Sequence, residues 1–148
     1  MGINILVVDD EKELADVIDL YLTNDGYTVH KFYTGAEALD CIAHTDLDLA
    51  ILDVMLPDAD GFQICKKIRE KSYYPIIMLT AKVADGDKIM GLTIGADDYI
   101  TKPFNPLEVV ARVKTQLRRY MQYNNLISKQ EEPAHEYDIR GLIINKDN

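Results

Sequence analysis

An unbroken apolar run, Leu49, Ala50, Ile51 and Leu52, ends on a single carboxylate, Asp53, and constrains the fold more than any other stretch. A strand with one face in water alternates polar and apolar residues. A run without alternation fits a strand covered on both faces, as in a parallel sheet between helical layers. In such sheets ligands gather beyond the carboxyl ends of the strands, which puts Asp53 at the ligand-binding edge. Pro57, Asp58, Ala59, Asp60 and Gly61 follow. Proline lacks the ladder donor, and aspartate and glycine favour turns, so the carboxylate is expected in the mouth of an open loop.

The same unit recurs along the chain. Residues 3–8 form a β-rich run ending on Asp9, Asp10 and Glu11, and Leu14, Val17, Ile18, Tyr21 and Leu22 then follow a helical stripe that Gly26 stops. Residues 27–32 read as a strand, and Thr34 with Glu37 forms a capping box for a helix through Ala43. After the central strand, Asp60 and Gln63 cap a helix carrying Phe62, Ile64, Cys65 and Ile68, which must end before Pro75. Residues 76–80 form a further buried strand ending on Thr80, 81–94 a weakly patterned helix stopped by Gly95, and 98–101 a short last strand. Asn105 and Pro106 then open a helix through Tyr120. Five βα units with right-handed crossovers predict an α/β fold, a doubly wound parallel five-stranded sheet.

Beyond Met121 the composition turns polar, so the domain is expected over 1–121 with an exposed linker over 122–136. Residues 137–148 alternate like a strand but are too short to fold alone, and read as the start of a truncated second domain.

The net charge of -9 excludes nucleic acid and anionic membrane as partners of this piece by itself. No apolar run reaches the ~20 residues that span a bilayer, and the reading is a cytoplasmic protein. Cys41 and Cys65 stand at no metal-ligand spacing, and His30, His44 and His135 are scattered, so a metal would have to come through carboxylates.

The strand ends bring Asp9, Asp10, Asp53, Thr80 and Lys102 to one edge. Clustered carboxylates suit a hard divalent ion such as Mg²⁺, which pairs with phosphoryl groups. With Lys102 neutralising oxygens, a central carboxylate can attack phosphorus in line and become an aspartyl phosphate, and Asp53 is the candidate nucleophile.

These residues, together with the MLPD that follows Val54, Thr80 and Ala81, and the GADDYITKPF segment over 95–104, resemble the receiver domain of two-component response regulators. The similarity covers 1–120 and extends to the OmpR/PhoB subfamily, most of all to its regulators of glycopeptide (vancomycin) resistance. The resemblance implies a flavodoxin-like, CheY-like receiver fold with strand order 2-1-3-4-5. It implies a signalling phosphoacceptor rather than an enzyme, with Asp53 phosphorylated by a VanS-like sensor histidine kinase and Mg²⁺ (or Mn²⁺) as cofactor. Asp10, Asp53 and the Met55 carbonyl would bind the ion, and Asp9 would act through water. Thr80 and Lys102 would contact the phosphoryl oxygens, Pro103 would follow a cis peptide, and Thr80 and Tyr99 would form the switch. Promoter DNA would be bound only through a C-terminal winged-helix domain beginning at 137–148.

The resemblance also implies a homodimer on phosphorylation. Glu108, Arg112 and Arg119 fall on one flank of the last helix, with Lys88, Asp97 and Asp98 on adjoining elements. The implied pairs are Lys88 with Glu108, Asp97 with Arg119 and Asp98 with Arg112, around an apolar patch of Ile89, Leu92 and Ala111.

A rival from another class is a haloacid-dehalogenase-type phosphatase, which also uses a strand-end aspartate with Mg²⁺. Its nucleophile is followed two residues later by a second aspartate, where this chain has Met55. A nucleotide-binding module would need a phosphate-cradling loop, and neither GxGxxG nor GxxxxGK[ST] is present.

Overall fold

In the computed structural model the described residues are 2–81 and 95–131, with side chains described up to residue 124. Five parallel strands, β1 (Asn4–Val8), β2 (Thr28–Phe32), β3 (Leu49–Asp53), β4 (Ile76–Thr80) and β5 (Asp98–Thr101), form one sheet in the order β2-β1-β3-β4-β5. Four helices are described: α1 (Lys12–Asn24), α2 (Gly35–His44), α3 (Gly61–Arg69) and α4 (Pro106–Glu131). The helix expected over 81–94 lies, beyond Ala81, outside the described residues.

Strands β3 and β4 are buried along their whole lengths, as their unalternating sequences require, and they form the centre of the core. Fully burying each Leu or Ile there contributes roughly 1.5–3 kcal/mol. Helix α1 turns Ala15, Ile18 and Leu22 inward, and the chain reverses at Gly26, whose φ of 93° a residue with a Cβ rarely adopts. Thr34 caps α2 by accepting the Glu37 N–H at 3.3 Å, while Glu37 Oε1 accepts from the Thr34 hydroxyl at 3.1 Å. Asp60 caps α3 through the Phe62 N–H at 2.8 Å. Asn105 caps α4 through the Leu107 N–H at 2.9 Å.

The order reverses at β1, which pairs with β2 on one side and β3 on the other. Right-handed crossovers then place α1 on one face of the sheet and α2 and α3, which pack together, on the other. The register matches Val8 to Leu52, so the next residues, Asp9 and Asp53, leave adjacent strand ends side by side at the switch point.

Arg69 fastens the C-terminal end of α3 to the approach to β5. Its guanidinium donates to the Gly95 carbonyl at 3.0 Å, the Tyr74 carbonyl at 2.8 Å and Asp97 Oδ2 at 2.6 Å, and the same Asp97 oxygen accepts the Ile76 N–H at 2.9 Å. Arg69→Ala leaves these partly buried acceptors short of donors, and is expected to cost about 2–3 kcal/mol. Urea denaturation of the two proteins checks this, and a difference below ~0.5 kcal/mol would show the clamp to be energetically idle.

The first compact unit spans Met1–Leu117, and from Arg118 the chain forms a second. Helix α4 contributes Val109, Val110, Val113 and Leu117 to the core of the first unit. Its backbone stays helical to Glu131, beyond the Tyr120 at which the helix is expected to end. The polar residues there include neither glycine nor proline before Pro133, and extending an existing helix costs far less than starting one. The tail over 137–148 lies outside the described residues. No helix among the described residues is long and apolar enough to cross a membrane.

Candidate functional site

The site grows from three strand ends and the loop after β5. Asp9 is fully buried, and its Oδ1 accepts the Glu11 N–H at 2.9 Å, which fixes the carboxylate in a short turn at the start of α1. Asp53 is 5% exposed, and its Oδ1 accepts the Met55 N–H at 3.2 Å. Asp10 is exposed beside them, and one oxygen from each of Asp9, Asp10 and Asp53 lies within 4.8 Å of the others.

Lys102 enters this cluster from the loop after β5, its backbone N–H bonded to the Thr80 carbonyl at 2.6 Å. Its Nζ lies 2.9 Å from Glu11 Oε1, 3.0 Å from Asp9 Oδ2 and 3.4 Å from Asp53 Oδ2. The approach to Asp9 is an ion pair without hydrogen-bond alignment, so that buried oxygen has no directed donor. One ammonium therefore serves three carboxylates while a fourth, Asp10, stands next to them.

Burial drives the Asp53 carboxyl up to about 7, the neighbouring Asp9 charge adds to the rise, and Lys102 and the Met55 N–H oppose it. Burial acts against the Lys102 ammonium, but Glu11, Asp9 and Asp53 outweigh it and hold its pKa above the ordinary lysine range. The cluster thus carries uncompensated negative charge on hard oxygen donors, one of them without a directed hydrogen bond. That donor set fits a divalent cation such as Mg²⁺.

Thr80 is buried at the end of β4, and the Lys102–Pro103 peptide is cis. Tyr99 lies half-buried on β5, opposite Met78. The Met55 side chain is 78% exposed, and its backbone pairs with Asp60 across the β3–α3 loop. Of the expected dimer face, Lys88, Ile89 and Leu92 lie outside the described residues. Asp97 is engaged by Arg69, and Arg112 bonds Asp98 at 2.6 Å and Glu108 at 3.2 Å within the chain. Ala111 and Arg119 are exposed on α4.

Sequence reasoning missed three residues. Glu11 reads only as the start of α1, yet its side chain makes no cap there and reaches Lys102 instead. Asp58 reads as a turn residue, yet it bonds the first N–H groups of α2. Gly61 reads as a turn glycine, yet a Cβ on it would fall 2.2 Å from the Asp53 carbonyl oxygen. Glu11 alone carried a sequence signal, as the third acid in a row at a strand end. Cys41 and Cys65 are buried, and burial raises the Cys65 thiol to about 11, away from the reactive thiolate range.

Three comparisons bear on this geometry. The family described as Response regulator receiver domain matches residues 5–114. Regulatory protein VanR of Enterococcus faecium is 58% identical over 145 residues, which cover 98% of this chain and 62% of that relative, so the chain spans about three fifths of its length. Among solved structures, response regulator DrrB, a Thermotoga maritima OmpR/PhoB homologue, superposes with a TM-score of 0.75 at 40% identity, covering 81% of this chain and 54% of DrrB. A CheY-like receiver domain protein from Methanospirillum hungatei JF-1 superposes with a TM-score of 0.79 at 30% identity, covering 83% of this chain and 99% of that one. With a family match over most of the chain, the 2-1-3-4-5 sheet, and an acidic cluster at its switch point, this chain belongs to the response regulator receiver domain family.

Proposed function

We propose that the chain is the phosphoacceptor module of a transcriptional response regulator, with Asp53 taking a phosphoryl group from the phosphohistidine of a sensor kinase. The observation that carries this reading is the Asp53 carboxylate, buried at a strand end between Lys102 and two further aspartates. An Asp53 oxygen forms the new bond to phosphorus as the bond from phosphorus to the histidine nitrogen breaks, and the imidazole departs with the electron pair. In this reading the Lys102 ammonium neutralises charge on the phosphoryl oxygens, and the Thr80 hydroxyl bonds one of them. Asp9, Asp10, Asp53 and the Met55 carbonyl would hold Mg²⁺, which when bound supplies further neutralisation of the phosphoryl group. No observation favours a phosphatase that turns over small phosphoesters. The similarity to regulatory protein VanR supports a regulatory role, and the reading extends to control of glycopeptide-resistance genes through a DNA-binding domain.

Incubation with acetyl phosphate and Mg²⁺ followed by mass spectrometry tests the assignment. One phosphoryl adduct on Asp53 is expected; an adduct elsewhere, or none, overturns it.

Phosphorylation is proposed to drive a symmetric dimer through β5 and α4, with the intrachain Asp98–Arg112 and Glu108–Arg112 contacts exchanging for contacts across a two-fold axis. The exposed Glu108–Arg112 pair contributes only ~0–1 kcal/mol, and the partly buried Asp98–Arg112 bond is the larger cost of the exchange. Arg112→Glu places like charges beside Asp98 and Glu108, and is expected to weaken the activated dimer at least ~10-fold. Sedimentation with Mg²⁺ and beryllofluoride reads this, and equal dimerisation of wild type and variant would refute the interface.

A further inference from the structure

The loop between β3 and α3 is anchored at both ends by its own backbone, and its tip is held by a different element. At the base, the Gly61 N–H bonds the Val54 carbonyl at 2.8 Å and Met55 pairs with Asp60. Near the tip the Leu56 N–H closes a turn on the Ala59 carbonyl at 3.2 Å. Asp58 projects from that turn. Its Oδ1 accepts the Gly35 N–H at 2.7 Å and its Oδ2 accepts the Ala36 N–H at 3.0 Å.

Those two groups belong to the first turn of α2, whose N–H groups have no partner within the helix. The helix already has a local cap in Thr34, so the distant carboxylate is an addition rather than a replacement. The fit is close: a Cβ on Gly35 would stand 2.5 Å from the Ala59 Cβ and 3.3 Å from Asp58 Oδ1. The Gly35 and then the Ala36 N–H hold the Asp58 carboxyl below the usual carboxylate range.

We propose that Asp58 is a positioning residue for the phosphoacceptor, pinning the tip of the β3–α3 loop to the N-terminus of α2 so that the Met55 backbone stays set against Asp53. The connection is continuous: α2 holds Asp58, the turn at 56–59 carries that restraint to Met55, and the Met55 N–H bonds Asp53 Oδ1. The inference rests on the reading of Asp53 as phosphoacceptor beside a divalent-cation site. Asp58 touches neither phosphorus nor metal, and acts through the loop.

The test compares wild type, Asp58→Ala, Asp58→Asn and Thr34→Ala by Mg²⁺ calorimetry, by the rate of labelling with acetyl phosphate, and by amide exchange in metal-free protein. Asp58→Ala is expected to lower Mg²⁺ affinity about 10-fold, the scale on which outer partners tune a metal site, and to speed exchange at Gly35, Ala36 and Met55. Asp58→Asn keeps one acceptor and is expected to fall between the two. Thr34→Ala removes the local cap without touching the loop, and is expected to lower stability while leaving Mg²⁺ affinity within about 2-fold of wild type. Unchanged Mg²⁺ affinity and Met55 exchange in Asp58→Ala overturn the proposal, and so does an equal loss of affinity in Thr34→Ala, which would make the effect one of helix stability. A wild type that neither binds Mg²⁺ nor is labelled at Asp53 overturns the phosphoacceptor reading itself, a failure the wild-type arm reveals without any variant.

Discussion

Asp53→Asn is expected to abolish phosphoryl labelling and, in metal-free solution above pH 7, to make the domain more stable than wild type. The loss of labelling follows from chemistry, since an amide is a poor nucleophile at phosphorus. The gain in stability follows from burial. In the folded chain the carboxyl is pushed up to about 7 from the ordinary aspartate value of about 4, chiefly because burial disfavours its charged form and secondarily because Asp9 repels it. The folded state therefore holds a proton that the unfolded chain has released, so stability falls as pH rises from about 4 to about 7, and the cost persists above that. A neutral asparagine avoids the cost. A shift of this size corresponds to ~4 kcal/mol at one 1.36 kcal/mol step per unit, and losing the 3.4 Å contact with Lys102 offsets part of it. A net gain of about 1–3 kcal/mol at pH 8 is expected, shrinking towards zero near pH 4. Urea denaturation in EDTA at both pH values measures it. A variant less stable than wild type at pH 8 would mean that the Lys102 contact outweighs the desolvation of Asp53.

Gly61→Ala carries the largest expected structural penalty near the site. The new Cβ would lie 2.2 Å from the Asp53 carbonyl oxygen and 2.9 Å from both the Asp53 carbonyl carbon and the Val54 Cα. All three are backbone atoms at the end of the central strand, so no side-chain rotation relieves the contact. Either α3 or the end of β3 must move, and overpacking of this kind costs ~1–3 kcal/mol. Alanine recovers up to ~1 kcal/mol of helix propensity, less at the first helical residue than in a helix interior. A net loss of about 2 kcal/mol is expected, with Mg²⁺ affinity reduced about 10-fold because the strand end carries Asp53. Thermal unfolding and calorimetry test the two effects separately. If stability falls while Mg²⁺ binding is unchanged, the helix has moved and the strand has not; if neither changes, the close approach is not a constraint.

The five strands were legible because each depends on neighbours in sequence. Leu49 through Leu52 and Ile76 through Leu79 show no alternation, which only a strand covered on both faces tolerates, and both are buried throughout. Helix α1 showed its inward face at Ile18 and Leu22, though Tyr21 of the expected stripe is exposed and Ala15 is buried instead. Thr34, Asp60 and Asn105 showed their caps, because a cap acts over two or three residues. The gathering of Asp9, Asp53, Thr80 and Lys102 at one edge follows from parallel strands joined by right-handed crossovers, which put every carboxyl end on the same side. To this extent the sequence by itself determined the fold and the identity of its chemical edge.

What the tertiary structure decided was which charge meets which. Lys102 bonds Glu11 across 91 positions, Asp58 bonds Gly35 across 23, and Arg69 bonds Asp97 across 28. A carboxylate near a turn looks the same in sequence whether it faces water, a helix end or a lysine, and the choice depends on distances of a few ångströms between separate elements. Gly61 reads as a turn residue for the same reason, since only the folded chain brings the Asp53 carbonyl against it. The end of α4 escaped sequence reading differently: polar residues without glycine or proline serve equally in a linker or a helix, and the helix already growing from Pro106 decides between them. Local periodicity and caps are written into short stretches of chain, whereas long-range polar pairing exists only once the sheet has set the strand ends side by side.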